Sequence, residues 1–194
     1  MSDDHEPYHV PPVELEAALA RAISSPRDEG ELALVVSRPA TGEREVLDVA
    51  ELTPEAGLVG DSWAVRRKPE TPDLAPHPDS QLTLMNARVV ALLAREPSRW
   101  PLAGDQLFVD LDLGADNVPV GTRLALGEAL IEITGKPHLG CAKFAARFGR
   151  DALAFIAMPE RRALQLRGVY ARVVRAGCVR RGDRVRKLRD GEDG

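Results

Sequence analysis

Short runs of β-type residues dominate the pattern of hydrophobic and polar positions along the chain. Aliphatic and β-branched side chains occur in segments bounded by glycine, proline and aspartate, which is typical of strands separated by turns. The pattern predicts strands over residues 31–37, 44–52, 81–85, 107–113, 123–126, 129–134, 168–176 and 183–188. A chain built mainly of short strands is therefore expected.

Helical periodicity occurs in a few segments between these strands. Residues 13–23 carry an apolar face at helical spacing, and residues 87–95 follow Asn86, a suitable N-cap. Residues 142–158 also have helical spacing, although Gly149 weakens the middle of this segment. Many short strands with helices inserted between them predict a mainly β, barrel-like architecture with α+β elements, and not a doubly wound sheet.

The length and composition of the chain are those of one domain. Its 194 residues, 44% of them hydrophobic, suffice for a single sizeable core. We expect an N-terminal helical extension over 1–29, a barrel domain over 30–188 and a polar tail over 189–194. A proline-rich stretch over 62–80 predicts a long loop, because prolines interrupt both helices and central strands.

Charge and cysteine content restrict the class of protein. A net charge of −4 argues against nucleic acid as a partner.

The N-terminus is acidic and proline-rich, and no apolar run reaches the roughly 20 residues that span a bilayer, which predicts a cytoplasmic protein without a membrane partner. Two cysteines exclude a disulfide scaffold, and we expect reduced thiols, although a bridge between Cys141 and Cys178 stays open.

Cys141 is the strongest candidate for chemistry. It lies where a loop containing Gly140 leads into a predicted helix, and Lys136, His138 and Lys143 flank it. Backbone N–H groups and nearby cations favour a thiolate, which can attack an electrophile, carry sulfur or bind a soft metal. In the alternative interpretation Cys141 is a small buried hydrophobe and the lysines are solvated. His138 is either a base or hydrogen-bond donor, or a surface residue.

For other residues a structural role competes with a binding role. Cys178 lacks cationic neighbours of this kind, which favours a buried strand-end residue. Eight basic residues and only one acidic residue lie between Arg172 and Arg189. They form either a solvated strand edge or a phosphate-binding surface. Arg66 and Arg67 in the long loop either close over the same ligand or belong to a mobile charged segment.

Six motifs occur in an order that resembles the MOSC domain family, the domains similar to the C-terminal part of molybdenum cofactor sulfurases. They are 57–61 (GLVGD), 81–86 (QLTLMN), 120–127 (VGTRLALG), 140–143 (GCAK), 167–173 (RGVYARV) and 177–183 (GCVRRGD). The resemblance covers about Gly30 to Leu188. It implies a compact β-barrel in which a cysteine receives sulfur or ligates molybdenum. Two positions depart from the family pattern: Gly140 stands where many members have proline, and Ser62-Trp63 replace Arg-His after Gly-Asp.

The residues around Cys141 and the resemblance together suggest roles for particular residues. Cys141 and His138 are the catalytic candidates, and Cys141 is also the metal ligand. The cofactor-binding candidates are Gly140, Lys143, Arg167, Arg66 and Arg67. Asp61 and Asp183 each follow a glycine, where turn formation explains an aspartate without catalysis.

The function implied is sulfur transfer or molybdenum-dependent reduction of N-oxygenated substrates with a pterin-type molybdenum cofactor. A sulfur donor protein or an electron-transfer partner is then required, because the chain contains no flavin, haem or iron–sulfur motif. Pyridoxal phosphate is a family label that we do not expect here, since nothing resembles a Schiff-base lysine in its usual setting. The alternative is a non-catalytic module that binds an anionic ligand or a protein and in which Cys141 is structural. A Cys141 thiol in a cavity lined by Arg167 is the arrangement expected for the first function.

Overall fold

A closed β-barrel of seven strands forms the centre of the molecule. The computed structural model describes residues 9–66, 75–189 and 191–192. The strands, in chain order, are β1 (Glu29–Ser37), β2 (Glu45–Leu47), β3 (Val49–Thr53), β4 (Gly57–Leu58), β5 (Leu82–Asn86), β6 (Leu107–Asp110), β7 (Arg123–Leu126), β8 (Ala129–Ile133), β9 (Val169–Arg175), β10 (Gly177–Arg180) and β11 (Arg184–Lys187). The helices are α1 (Pro12–Ala22), α2 (Ala87–Ala94), α3 (Ala142–Phe148) and α4 (Arg150–Ala157).

The strand order around the barrel is β11-β7-β8-β9-β5-β6-β1, and β1 closes the ring by pairing with β11. Neighbours are antiparallel except β5 and β6, which are parallel. Strand β2 extends β1 as an eighth strand, and β10, β3 and β4 form a separate small sheet. The predicted fold class, mainly β with inserted helices in a barrel-like arrangement, is confirmed.

Two apolar clusters lie on opposite sides of the barrel wall. Alternate residues of β9, Val169, Ala171 and Val173, belong to the cluster that fills the barrel, so Tyr170 between them points outward. The second cluster packs the four helices against the outer wall, where Phe108 and residues of α1, α3 and α4 meet. The candidate site lies in this outer layer.

Three predicted elements differ from the structure. The helix predicted over 142–158 is two helices, because Gly149 has a φ of +94° and an added Cβ there would lie 2.8 Å from the ring of His9. The strand predicted over 44–52 is divided between β2 and β3, which belong to different sheets. The strand predicted over 107–113 ends at Asp110, and both of its faces are buried.

The long loop predicted over 62–80 begins and ends with single turns of 3₁₀ helix, Ser62–Ala64 and Pro78–Ser80. Residues 67–74 between them, including Arg67, lie outside the described residues. No helix within the described ranges is long and apolar enough to cross a membrane.

Candidate functional site

Cys141 is exposed at the start of α3. Its backbone is extended, with φ −131° and ψ 173°, and its carbonyl oxygen accepts a 3.1 Å hydrogen bond from the Ala145 N–H. The thiol makes no capping hydrogen bond and is not part of a disulfide. The alternative in which Cys141 is a buried hydrophobe is therefore wrong, and the bridge to Cys178 is absent. Exposure also means that Cys141 lies at the surface of the site and not at the bottom of a cavity.

Gly140 holds this cysteine close to α4. A Cβ added at Gly140 would lie 2.3 Å from Cδ1 of Leu153 and 3.5 Å from Cδ1 of Ile156. Any larger residue therefore requires α4 side chains to move. The contribution of Gly140 is this close approach, which positions the turn before Cys141.

A buried ion pair lies next to α3. Asp105 is fully buried between a 3₁₀ turn and β6, and its Oδ2 accepts a 2.6 Å hydrogen bond from Nη1 of Arg167. Nη2 of Arg167 donates to the Ala103 carbonyl oxygen at 3.1 Å, and the guanidinium lies 5.1 Å from the ring centroid of Phe144. Arg167 therefore links the β6 and β9 segments of the barrel to α3.

His138 packs against this pair. Only 6% of its side chain is exposed, and Nδ1 lies 3.7 Å from Oδ1 of Asp105. Burial lowers the pKa of His138 from 6.5 to about 4, opposed by Asp105 and reinforced by Arg167 and Arg38. The imidazole is thus neutral at pH 7, and the interpretation as a surface histidine is wrong.

Tyr170 packs against His138. Its ring centroid is 4.5 Å from that of His138, and Nζ of Lys136 lies 5.7 Å from the same ring. Burial is the main cause that raises the pKa of Tyr170. Arg167 and Arg38 oppose this shift, and Asp105 and Cys141 add to it. The phenol therefore remains protonated at neutral pH and can donate a hydrogen bond near Cys141.

A second ion pair lies beside the first. Arg38 donates from Nε to Oδ2 of Asp61 at 2.8 Å and from Nη2 to Oδ1 at 3.0 Å, and its Nη1 donates to the Gly104 carbonyl oxygen at 3.0 Å. Asp61 also accepts from the Trp63 N–H at 2.9 Å. The turn role predicted for Asp61 is correct, but this residue also anchors a buried arginine.

Arg66 is the described member of the predicted Arg66–Arg67 pair, and it lies near Arg38. Its Nη2 donates to Ser62 Oγ at 2.9 Å. Burial lowers the pKa of Arg66, and repulsion from Arg38 lowers it further, opposed by Asp61 and Tyr170. The side chain therefore contributes positive charge to the region of Arg38 and Tyr170.

Three buried polar atoms of this region lack a hydrogen-bond partner among the described residues: Oδ1 of Asp105, Nδ1 of His138 and Nε of Arg167. Unpaired buried polar atoms are uncommon and cost free energy, and these three belong to side chains that meet at Asp105. We refer to Cys141, His138, Tyr170, Asp105 and Arg167 as the Cys141 site.

The remaining predicted residues are placed differently. Lys143 is exposed on the first turn of α3 and makes no hydrogen bond or ion pair to any residue that the structure describes. Several residues of the basic C-terminal stretch form ion pairs with acidic residues, such as Arg172 with Glu132 and Arg184 with Glu29. This agrees with a solvated strand edge. Cys178 lies in β10 and is half-buried, so its prediction as a buried residue is wrong.

Sequence reasoning missed Asp105, Arg38 and Tyr170. Asp105 and Arg38 lie in irregular segments beside strands, where no periodicity marks them, and only the folded barrel brings them together. Tyr170 was visible as an outward position of a strand within the 167–173 motif. No group of three or more His, Cys, Asp or Glu side chains able to hold a metal ion occurs in the described part of the chain.

The comparisons with known proteins identify the family. The family model of the MOSC domain matches residues 72–186, which is more than half of the chain. The chain belongs to the MOSC domain family. No curated protein sequence matches it.

Solved structures share the fold of this MOSC domain. The YuaD protein from Bacillus subtilis superimposes with a TM-score of 0.60 at 18% identity, covering 83% of this chain and 97% of YuaD. YiiM from Escherichia coli gives 0.53 at 24% identity, over 84% of this chain and 72% of YiiM. YiiM from Geobacillus stearothermophilus gives 0.55 at 13% identity, over 84% and 76%. At these identities the similarity establishes the fold alone.

Proposed function

We propose that this MOSC domain protein binds an anionic pterin-type molybdenum cofactor at the Cys141 site, with the Cys141 sulfur as a metal ligand or as a carrier of transferred sulfur. The observation that carries the proposal is an exposed, unbridged thiol three residues after His138, which packs against the buried Asp105–Arg167 pair and shares with it three unpaired buried polar atoms. A purely structural cysteine needs none of these neighbours.

The chemistry of the donor set fits such a group. A thiolate is a soft ligand suited to a metal rich in sulfur ligands, and guanidinium groups bind phosphate oxygens through paired N–H donors. Because the described residues include no cluster of protein ligands, a metal must arrive already held by its cofactor, and Cys141 adds one ligand. When bound, the cofactor supplies two-electron redox chemistry at its metal.

The residues of the chain have separate roles in this proposal. Asp105 orients Arg167, which keeps the guanidinium and its unpaired Nε–H beside α3. His138 is neutral at pH 7 and therefore offers a nitrogen that accepts or donates a hydrogen bond without adding charge. Tyr170 supplies a protonated hydroxyl near the thiol. Together these groups bind and orient an anion next to Cys141.

The reaction that follows from this arrangement is sulfur transfer or reduction of an N-oxygenated substrate. An exposed thiol suits sulfur transfer, because a sulfur donor protein must reach it. It equally suits reduction, because a substrate must reach a metal bound to the thiol. The sequence contains no flavin, haem or iron–sulfur motif. A sulfur donor protein or an electron-transfer protein is therefore part of the proposal.

A non-catalytic module that binds an anionic ligand is the second candidate. Arg167 supports it, since its unpaired Nε–H is a donor available to an anion whether or not the thiol reacts. The two candidates differ in the role of Cys141. Only the first requires a bond to its sulfur.

The test is native mass spectrometry with metal analysis on anaerobically purified wild type, Cys141→Ser and Cys178→Ser. Each protein is incubated with molybdenum cofactor and, separately, with a persulfide donor. Cys178→Ser is the matched control, because it removes a free thiol that lies outside the Cys141 site. We expect wild type and Cys178→Ser to retain metal or labile sulfur and Cys141→Ser to lose it.

Two results would contradict the proposal. Equal retention by wild type and Cys141→Ser means that the thiol is not the bonding atom, which favours the binding module. If wild type retains neither metal nor sulfur, both proposed roles of Cys141, as a metal ligand and as a sulfur carrier, are contradicted.

A further inference from the structure

The surface around Cys141 presents an apolar side chain to solvent. Leu139, two residues before the cysteine, is 76% exposed, the largest exposed fraction among the large hydrophobic residues that the structure describes. One exposed leucine is ordinary in a folded protein, so its neighbours decide whether it matters. Pro137, Ala142 and Ala146, close to Leu139 along the chain, are also exposed. We call these four residues and Cys141 the Leu139 surface.

The charged residues of this segment all have the same sign. Residues 135–150 contain no Asp or Glu and four cationic residues: Lys136, Lys143, Arg147 and Arg150. None of the four forms an ion pair with a described residue. Since the chain carries a net charge of −4, the charge of this segment is opposite in sign to that of the whole protein. An apolar centre with a charged border is the usual anatomy of a protein–protein interface.

Packing beneath the Leu139 surface keeps its backbone in place. Phe144 and Phe148, on the buried face of α3, belong to the outer apolar cluster, and their ring centroids lie 4.9 Å apart. Gly140 fits closely against α4, where an added Cβ would lie 2.3 Å from Cδ1 of Leu153. The exposed side chains are therefore presented by a packed segment, and binding a partner there requires little ordering of the backbone.

The spacing of the cations fits a macromolecule better than a small anion. Lys143 is in the first turn of α3 and Arg150 follows the end of this helix, so roughly 10 Å separates them at 1.5 Å per residue. Lys136 precedes Cys141, and its Nζ lies 5.7 Å from the ring centroid of Tyr170. A small ion cannot contact all three charges at once, whereas acidic side chains distributed over a protein surface can.

We propose that the Leu139 surface docks an acidic protein that delivers sulfur to Cys141 from a persulfide on its own cysteine. This inference rests on the proposed function for the reaction, and it adds the docking surface and the charge of the partner. The Cys141 thiolate attacks the outer sulfur of the docked persulfide. The S–S bond of the donor breaks, the donor cysteine leaves as a thiolate, and the new persulfide on Cys141 keeps the proton of the old one. The transfer therefore requires no oxidant or reductant.

The test replaces the donor by short synthetic peptides, each with a central cysteine activated as a thiopyridyl disulfide. One peptide has leucine and glutamates beside its cysteine, and its counterpart has leucine and lysines. The protein is Cys178→Ser, in which Cys141 is the only thiol, and release of 2-thiopyridone gives the second-order rate constant. At about 10 mM salt we expect the glutamate peptide to react at least about ten-fold faster than the lysine peptide, and at about 500 mM salt we expect nearly equal rates.

Single substitutions in the same protein identify the residues responsible. Lys143→Gln and Arg150→Gln should each slow the glutamate peptide roughly two- to five-fold at low salt, since each removes one of several attracting charges. Arg181→Gln is the charge-matched control, because Arg181 is exposed between β10 and β11 and forms no ion pair with a described residue. It should leave both rates unchanged.

Leu139→Ser tests the apolar part of the surface. It should slow both peptides, because both carry leucine, and it should leave the reaction with iodoacetamide unchanged, because this small neutral reagent requires no docking. Far-ultraviolet circular dichroism confirms that each variant is folded. If Cys178→Ser does not fold, mass-spectrometric quantification of the Cys141 adduct in a protein that keeps Cys178 gives the same rates.

Three results would overturn the Leu139 surface: equal rates for the two peptides at low salt, an equal effect of Arg181→Gln and Lys143→Gln, or unchanged peptide rates in Leu139→Ser. The proposed function is tested separately, by the metal and sulfur retention of wild type and Cys141→Ser. Retention without a charge preference overturns the docking surface alone. A charge preference without Cys141-dependent sulfur retention overturns the delivery of sulfur to Cys141.

Discussion

Arg167 donates a 2.6 Å hydrogen bond to the fully buried carboxylate of Asp105, and His138 lies within 3.7 Å of the other oxygen of the same carboxylate. One aspartate thereby orients a cation and contacts a neutral imidazole near the exposed Cys141 thiol. Asp105 is on the segment that enters β6, whereas Arg167 is on the segment that enters β9. The pair consequently connects two segments of the barrel wall at the site.

Replacing Arg167 with alanine should destabilise the protein by about 3 kcal/mol or more, because it leaves the Asp105 carboxylate buried without its partner. Urea unfolding at pH 7 measures the change. The control is Arg184→Ala, whose ion pair with Glu29 is exposed and is expected to contribute less than about 1 kcal/mol. Equal losses of unfolding free energy in the two variants would show that the buried ion pair stabilises the protein no more than the exposed one.

His138 should make the stability of the protein depend on pH below neutrality. Its pKa is about 4 in the folded protein and 6.5 when unperturbed, so between these values the unfolded chain binds a proton that the folded chain excludes. The contribution of His138 to the free energy of unfolding is therefore fully present above about pH 7. It decreases by about 3 kcal/mol as the pH falls towards 4.

Unfolding free energies of wild type and His138→Asn over this pH range test this linkage. The variant should lose less stability on acidification than wild type, whatever its stability at neutral pH. His77→Asn, at a histidine whose side chain is 64% exposed, should retain the wild-type pH dependence. The same slope in wild type and His138→Asn would exclude a buried neutral imidazole.

Gly168 follows Arg167 directly and permits the chain to pass close to β5. An added Cβ at Gly168 would lie 2.0 Å from the Leu84 carbonyl oxygen, and φ is +100°. Gly121 has a similar φ of +90° but nothing within 4 Å of its added Cβ. The two alanine variants therefore share the backbone strain and differ in the clash.

We expect Gly168→Ala to be less stable than Gly121→Ala by at least about 2 kcal/mol. Thermal and urea unfolding of both variants give this difference. If the two variants lose equal stability, the backbone at Gly168 lies farther from the Leu84 carbonyl oxygen than this structure indicates.

The sequence predicted the barrel because its signals are local. The strand runs and the Asn86 cap of α2 depend on neighbouring residues only. Asn86 Oδ1 indeed accepts a hydrogen bond from the Arg88 N–H at 2.8 Å. The break at Gly149 was not predicted, because it depends on contact with His9, which is distant in sequence.

The candidate site was only partly predictable for the same reason. Cys141 and His138 were found because they lie three residues apart in one glycine-containing loop. Asp105 and Arg38 have no such local signal, and their significance comes from contacts with residues far along the chain, Arg167 and Asp61. The low pKa of His138 likewise follows from burial of its side chain. A loop rich in glycine and proline did not indicate that burial.

The most direct test of the central claim is mass-spectrometric quantification of alkylation at Cys141 and Cys178 before and after anaerobic loading with molybdenum cofactor or a persulfide donor. In the free protein we predict faster alkylation of the exposed Cys141 than of the half-buried Cys178. Loading should then decrease the fraction of Cys141 that reacts as an unmodified thiol, with Cys178 unchanged. Unchanged alkylation of Cys141 in protein that has retained metal or sulfur would contradict the claim that this thiol is the bonding atom.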